Sequence, residues 1–422
     1  MRALFGLLYL CGLHKSSHAN AKDLWDADGT GIELFRKTMS YKRFTFLLRC
    51  LRLDNVNDRE ARRQLDKLAA VRDFFSDFNK KCQEIYSVSE YVTIDEKLEK
   101  FRGRCAFRQY MPKKPAKYGI KLFAVVDART YYTYNMEIYA GKQSDGPFKV
   151  DYSPSEIVKR LCAPLFGSGR NITMDNWYTS YPLAKELLSK KLTVVGTLKK
   201  NKAVIPAEFL ETKKREVYSS MFGFQKDMTL VSYVPKKSKC VVLLSTMHHD
   251  DTIDENSEQS KPEIIHFYNG TKGGVDTVDE MSTLYSTARK TNRWPMVIFY
   301  CVLNVAGINA RVSLMSTKNP PLQYKSRRMF LKTLALSLVN PQIKRRSNMQ
   351  MLPRELREKM NQNFSTERNA VSEENLPKRM KLGKGRCTIC PRAKDKKTTI
   401  SCMKCQNFTC KDHSNYVCDK CV

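Results

Sequence analysis

A change in apolar periodicity at Tyr91 constrains the fold of this chain more than any other feature. Residues 1–88 carry apolar side chains near helical spacing, whereas the spacing alternates from Tyr91 onward, as in strands. Three alternating runs come first. A helix opened by Ser153-Pro154, a strand ending at Asp175, a second helix and a fifth strand follow. The sequence therefore predicts an α/β core in this order.

That order is the ribonuclease H-like one, in which carboxylates at the ends of adjacent strands converge. Asp95 lies in the first predicted strand, and Asp175 directly follows the fourth. Asp276 and Asp279 share one face of a predicted helix, because they are three residues apart. Carboxylates from separate rigid elements can hold the two Mg²⁺ or Mn²⁺ ions that assist phosphoryl transfer. The alternative is that each aspartate caps a helix or a turn.

The charge of the chain predicts a polyanionic partner. Lys and Arg number 74 and Asp and Glu number 43, which gives a net charge of +31 over 422 residues. Double-stranded DNA is the expected partner, although a ribosome or an anionic membrane surface would demand the same sign. No apolar run is expected to be long enough to span a bilayer, so we predict no membrane partner.

Eight metal-ligand residues lie in four regularly spaced pairs near the C-terminus, enough for two tetrahedral Zn²⁺ ions. A cross-brace would pair the first set of ligands with the third and the second with the fourth, and sequential pairing is the alternative. The other seven cysteines are scattered, which is typical of reduced thiols in a cytosolic or nuclear protein. The cross-brace assigns one ion to Cys387, Cys390, Cys410 and His413, and the other to Cys402, Cys405, Cys418 and Cys421.

Five strings resemble the piggyBac family of cut-and-paste DNA transposases and their derived proteins. They occur in family order and span nearly the whole chain. The strings run from Ile94 to Glu96, from Lys114 to Lys121, from Ile172 to Ser180, from Tyr268 to Asp276 and from Arg289 to Pro295.

The resemblance implies a ribonuclease H-like catalytic domain with a triad at Asp95, Asp175 and Asp276 and a fourth acid at Asp279. It also implies excision through DNA hairpins, insertion at TTAA targets, and a helical domain that dimerises on terminal-repeat DNA. That domain is split around the catalytic core. The family's Cys-rich domain binds DNA ends, whereas cross-braced folds elsewhere serve in ubiquitin ligases or in histone recognition.

The segment from Arg289 to Trp294 is predicted to contact DNA. Its cations suit phosphates, and an indole can stack on an unpaired base. The alternative is a core tryptophan beside a solvated turn, and similarity to the family's aromatic near the hairpin end favours the DNA role. We expect helical character from Val275 to Ala310, with Pro295 as a stop for the basic segment. The predicted contacts are Arg289, Lys290, Asn292, Arg293 and Trp294.

These observations predict seven segments. They are a helical dimerisation and DNA-binding part at 1–88, the catalytic core at 89–198, an inserted subdomain at 199–265, the end of the core at 266–286, the second helical part at 287–365, a basic linker at 366–385 and the Cys-rich zinc domain at 386–422.

We predict a nuclear DNA transposase that acts as a homodimer, and basic patches at 344–346 and 377–381 resemble import signals. The alternative is a domesticated DNA-binding or chromatin protein that no longer transposes. The family usually carries a longer acidic region before the first helices, whereas Met1 here opens directly on an apolar helix. A shortened copy, an incomplete gene prediction or a host-adopted derivative would each account for that difference.

Overall fold

A mixed β-sheet lies at the centre of the first of two units. The computed structural model describes residues 1–254, 258–362, 385–400, 407–415 and 417–418. The chain divides into the units Met1–Ile343 and Lys344–Val422. Within the described residues, nine strands form the sheet of the first unit. They are β1 (Tyr91–Lys100), β2 (Arg108–Tyr110), β3 (Tyr118–Asp127), β4 (Thr133–Ile138), β5 (Asn171–Met174), β6 (Thr193–Thr197), β7 (Ser220–Gln225), β8 (Met228–Lys236) and β9 (Lys239–Ser245).

The first part of the sheet contains the five predicted strands in the predicted order along the chain, as β1, β3, β4, β5 and β6. The short strand β2 is additional. Strand β3 pairs with β1, β2 and β4, always antiparallel. Strand β5 runs parallel to β1, with Met174 opposite Ile94, and β6 runs parallel to β5. Helix α6 (Pro154–Cys162) connects β4 to β5, and α7 (Tyr181–Ser189) connects β5 to β6. These helical crossovers allow β5 and β6 to run parallel to their neighbours, because each carries the chain back to the end of the sheet at which the preceding strand began.

Helices precede the strands of the sheet along the chain and also follow them. The early ones are α1 (Arg2–Leu13), α2 (Glu33–Thr38), α3 (Tyr41–Cys50), α4 (Arg59–Leu65) and α5 (Arg72–Ile85). After the sheet come α8 (Glu263–Thr271), α9 (Gly274–Leu284), α10 (Trp294–Met315) and α11 (Arg327–Ser347).

Helices cover both faces of the sheet because β3 is apolar on both sides. Phe123 and Val125 join the core that α6 and α7 complete. Leu122, Ala124 and Val126 point to the opposite face, where α5, α9 and α10 pack. Alternate residues of a strand face opposite sides, so a continuous apolar run belongs to a sheet that is buried twice.

The segment 199–265 adds strands to the same sheet. Strand β9 pairs antiparallel with β6, with Ser245 opposite Val195, and β8 and β7 follow outward. The sequence of this segment predicts strands from Met228 to Val234 and from Cys240 to Thr246, and they correspond to β8 and β9. The predicted limits of an inserted subdomain stay a prediction.

The expected continuous helix from Val275 to Ala310 is wrong. Helix α9 ends at Leu284, and α10 begins only at Trp294. Pro295 lies in the first turn of α10, so it opens a helix instead of stopping one. The reason is physical: proline lacks the N–H that an interior turn needs, whereas the first turn leaves its N–H groups unpaired in any case.

Helix α10 also corrects the expectation that no apolar run could span a bilayer. Its 22 residues have a mean hydropathy of 1.6 over the most apolar window, which meets the requirement by length and composition. However, 72% of that window is buried inside the protein. This burial is typical of a core helix, and α10 contributes Ile298, Val305 and Ile308 to the core beneath the sheet.

The second unit contains short elements around cysteine-bearing loops. Strand β10 (Gly385–Arg386) pairs antiparallel with β11 (Lys397–Thr398), and β12 (Ser414–Asn415) pairs antiparallel with β13 (Val417–Cys418). Nearly all of the predicted linker at 366–385 lies outside the described residues, and so does the patch at 377–381.

Candidate functional site

Two of the predicted aspartates come from adjacent parallel strands. Asp95 lies within β1, and Asp175 follows the last residue of β5. Because Ile94 is paired with Met174, Asp95 and Asp175 each come one residue after this pair and lie side by side at equivalent positions. The Asp175 carboxylate also accepts a hydrogen bond of 2.8 Å from the Trp177 backbone N–H, so it caps the turn after β5 as well.

Three threonines and a glycine hold the start of α9 against these strands. The Thr93 hydroxyl donates to the carbonyl of Thr271, and the hydroxyls of Thr173 and Thr271 lie 2.8 Å apart. A Cβ added to Gly274 would lie 2.7 Å from Thr93 Oγ1, so only glycine allows this close approach. The first turn of α9, which carries Asp276, is thereby fixed beside β1.

A lysine that the sequence analysis did not single out lies among the carboxylates. Lys114, in the loop between β2 and β3, places its Nζ 3.1 Å from Asp276 Oδ1. Its charge also acts on Asp95 and Asp279. The signal was present, because Lys114 begins one of the strings that resemble the piggyBac family.

Burial disfavours the ionised form of the carboxylates in this region. Burial, reinforced by the neighbouring Glu96, raises the pKa of the Asp95 carboxyl to about 8. Burial also raises the pKa of Asp175 and of Asp279, although Lys97 opposes the effect at Asp279. A hard divalent cation suits such buried carboxylates, because its charge would stabilise their ionised form.

The carboxylates share a region without forming a closed cage. Among the described residues, no three of them bring ligand oxygens within 4.8 Å of one another. Asp276 is the most exposed of those in ion pairs, at 66%, and Asp279 is exposed by 30%. The donor chemistry fits hard divalent cations, which take oxygen ligands.

The basic segment before α10 is an extended connection in which two arginines are already engaged. Arg289 donates to the carbonyls of Ser16 and Ala19. Arg293 donates to the carbonyls of Leu48 and Arg49, at 3.1 and 3.2 Å, near the end of α3. These contacts tie the segment to the N-terminal helices, and they leave Lys290 and Asn292 exposed.

Trp294 packs against an aromatic neighbour and lines a cation-rich cavity, and its contact with DNA stays a prediction. It is half-buried and meets Phe107 edge to face, with the ring centroids 5.1 Å apart. It also lines a cavity of about 320 Å³ with Asn292. Five of the other lining residues are cations from α4 and nearby loops that were not predicted from the sequence: Arg52, Arg59, Arg63, Lys67 and Arg104.

A larger groove of about 1240 Å³ connects the basic segment to Asp279. Lys114 and Asp279 line it at one part, and Arg289 and Lys290 line it at another. Lys100 and Arg102 add further positive charge. This arrangement suits the phosphates of a nucleic acid strand that passes close to carboxylates.

Comparisons with known proteins agree with this geometry. The Transposase IS4 family matches residues 1–311. A solved structure of the piggyBac transposase synaptic complex with hairpin DNA matches 100% of this chain and 87% of that chain, with 38% identity and a TM-score of 0.80. The chain belongs to the piggyBac family of transposases.

Two human relatives match over a shorter length. PiggyBac transposable element-derived protein 3 of Homo sapiens is 21% identical over 244 residues, which cover 54% of this chain and 41% of that protein. The chimeric ERCC6-PGBD3 protein of Homo sapiens is 21% identical over the same length, which covers 23% of it. The chain therefore spans less than half the length of these curated relatives.

The tail of this piggyBac-family chain brings four soft ligands together. The Sγ atoms of Cys390 and Cys410 lie 3.6 Å apart, and His413 Nδ1 lies 3.8, 3.5 and 3.2 Å from the sulfurs of Cys387, Cys390 and Cys410. All four ligand atoms lie within 4.8 Å of one another, so the cluster could hold a zinc ion. The grouping joins the first and third ligand pairs, as a cross-brace requires.

The second predicted zinc group remains a prediction. Cys402, Cys405 and Cys421 lie outside the described residues, and the side chain of Cys418 does too.

Proposed function

We propose that this chain is a DNA transposase that cuts and joins strands by metal-dependent phosphoryl transfer. The observation that carries the proposal is the placement of Asp95, Asp175 and Asp276 on β1, after β5 and on α9, in a fold similar to a piggyBac transposase over its full length. Strand nicking, hairpin formation and insertion at TTAA are the reactions we assign to it.

We infer a ribonuclease H-like core from the order of its helices and strands along the chain, and we assign its metal ligands accordingly. Asp95, Asp175, Asp276 and Asp279 would hold two Mg²⁺ or Mn²⁺ ions. When bound, such ions activate the attacking oxygen and stabilise the departing one. The protein itself supplies rigid placement, since Asp95 is set within a paired strand and Asp276 is set by the threonine contacts of α9. Lys114 supplies positive charge beside the same carboxylates.

The basic surfaces support double-stranded DNA as the partner. The net charge of +31 and the cation-lined groove suit the phosphates of terminal-repeat and target DNA. We assign the helices on either side of the sheet to DNA binding and to a homodimer, and we assign the protein to the nucleus.

We assign the tail to two zinc ions and to the binding of DNA ends. Three cysteines and one histidine form the first of these sites. The competing role, recognition of ubiquitin enzymes or histones, predicts ubiquitin discharge or histone binding by the full chain. The DNA role predicts salt-sensitive binding to terminal repeats.

The decisive experiment measures nicking and hairpin formation on DNA that carries the cognate element ends, with and without Mg²⁺. The wild-type protein should nick and form hairpins only with the metal. Asp175→Asn should retain DNA binding and lose nicking. An inactive wild type, or an Asp175→Asn protein that still cuts, would overturn the proposal.

A second function is favoured by the human relatives, one of which is named as element-derived. In that case the chain is a domesticated DNA-binding or chromatin protein. Tight, sequence-selective DNA binding by a wild-type protein that does not nick any element end would support this alternative.

A further inference from the structure

A fully buried lysine connects β1 with α9, two of the elements that carry the predicted catalytic aspartates. Lys97 lies on β1 two residues after Asp95, and its side chain is 1% exposed. Alternation places Thr93, Asp95 and Lys97 on the same face of β1. The close approach of Thr93 to Gly274 shows that this face meets the start of α9. Lys97 therefore extends from β1 toward α9.

The ammonium group has three partners. Its Nζ lies 3.4 Å from Asp279 Oδ1 and donates to the Ser282 hydroxyl at 3.2 Å, and both partners belong to α9. The third partner is Glu99 Oε1 at 3.0 Å, on the same strand. That oxygen has no hydrogen-bond donor of good geometry among the described residues, so the contact with Lys97 is an ion pair without a well-aligned hydrogen bond.

A buried lysine is costly unless carboxylates surround it, and one partner would satisfy the charge. Glu99 alone could serve that purpose, because it shares the strand with Lys97. The additional contacts to Asp279 and Ser282 instead secure α9, because those residues lie three positions apart on one helix face. Burial by itself would lower the pKa of the Lys97 ammonium, but the surrounding charges raise it, so the group stays cationic.

We propose that Lys97 is a positioning residue that holds the Asp279 carboxylate in the orientation in which it serves the metal site. The inference rests on the proposed metal-dependent function and adds a residue that the sequence analysis did not contain. Neighbours that orient metal ligands contribute strongly, and their loss typically weakens metal binding by about 10–100-fold.

The test distinguishes the effect of Lys97 on metal binding from its contribution to stability through the ion pair with Glu99. Glu99→Gln retains the contact between Lys97 and Asp279, so it is the reference protein. Lys97→Met combined with Glu99→Gln removes both charges of the buried pair and leaves Asp279 without its partner. Both full-length proteins are compared by melting temperature, and then by thermal stabilisation during Mg²⁺ and Mn²⁺ titrations without DNA.

The combined variant should need roughly tenfold more metal for half-maximal stabilisation than Glu99→Gln. Loss of a positive charge would by itself strengthen cation binding, so weaker binding identifies lost orientation. Tighter or unchanged metal binding by the combined variant would overturn the inference, because Lys97 would then act only as a charge or as a structural ion pair.

A second measurement keeps this inference distinct from the function itself. In an Asp279→Asn background, replacing Lys97 should no longer weaken metal binding, because Lys97 acts through Asp279. An equal shift in that background would contradict the positioning role. If the wild-type protein does not nick DNA, the transposase proposal fails, whereas the titrations still decide the role of Lys97.

Discussion

Asp95 shows how a single residue can weaken the metal-free protein. Its carboxyl is largely buried, and burial together with Glu96 raises its pKa from 3.8 to about 8. The unfolded chain releases this proton near the ordinary value, whereas the folded protein retains it to higher pH. The contribution of Asp95 to the free energy of unfolding is therefore complete below about pH 4 and is lost as the pH rises through 8.

Asp95→Asn should accordingly stabilise the metal-free protein at pH 9, by about 1–3 kcal/mol, and should do so less at pH 5. Denaturant unfolding at the two pH values measures the difference. Asp54→Asn is the matched control, because hydrogen bonds from Arg59 lower the pKa of Asp54, and its replacement should destabilise the protein. A stability gain for Asp95→Asn that is equal at both pH values would contradict the burial argument.

Trp294 supports a second prediction at the residue scale. Its ring lines a cation-rich cavity while one edge rests on Phe107. Trp294→Ala should slow hairpin formation about tenfold and affect first-strand nicking less, because the lost stacking on an unpaired base is specific to hairpin handling.

Gel-based kinetics of the two steps measures this difference. Trp294→Phe, which retains an aromatic ring, should lie close to the wild type in both steps. If Trp294→Ala slowed nicking and hairpin formation equally, Trp294 would be a core residue only.

At the scale of elements, the contact between α9 and β1 determines where Asp276 lies. Gly274 permits that contact, since a Cβ there would lie 2.7 Å from the Thr93 hydroxyl. The hydrogen bonds of Thr271 to Thr93 and Thr173 then hold α8 and the start of α9 against two strands. The geometry of the site thus depends on a glycine and on three threonines that carry no catalytic chemistry.

Gly274→Ala should lower the free energy of unfolding by about 1–3 kcal/mol and reduce nicking, because the added methyl group pushes α9 away from β1. Gly270→Ala is the control from the preceding helix. A Cβ there meets no atom within 4 Å, so this variant should be about 0.5–1 kcal/mol more stable. Equal stability of the two variants in denaturant unfolding would argue against the close approach.

At the scale of the whole molecule, the two units depend on different forces. The first unit contains large apolar cores on both faces of its sheet. In the second unit, short strand pairs accompany the cluster of Cys387, Cys390, Cys410 and His413. A small segment with few apolar contacts depends on metal for its folding energy.

Cys387→Ser should therefore release zinc and weaken binding to terminal-repeat DNA, while the first unit keeps its melting transition. Zinc content and calorimetry measure the two effects separately. Cys50→Ser replaces an exposed thiol of the first unit and should retain zinc and DNA binding. Full zinc content in the Cys387→Ser protein would contradict the assignment of this ligand.

Much of the architecture follows from local patterns. Strands β1, β3, β4, β5 and β6 were predictable because alternation reports burial directly, and α6 was marked by Pro154 at its first position. Break points were less predictable. The gap between α9 and α10 does not follow from apolar spacing, and Pro295 marks the first turn of α10 and not the end of the preceding segment.

The sequence by itself determined the family and the order of the core strands along the chain, and it predicted the four aspartates, because these are recorded in local strings and spacings. The tertiary structure alone decided which partners each side chain has. It turned Arg289 and Arg293 toward backbone carbonyls, and it placed Lys114 and Lys97 beside Asp276 and Asp279. Periodicity records whether a residue is buried, whereas contacts between residues more than a hundred positions apart arise only when helices and strands pack.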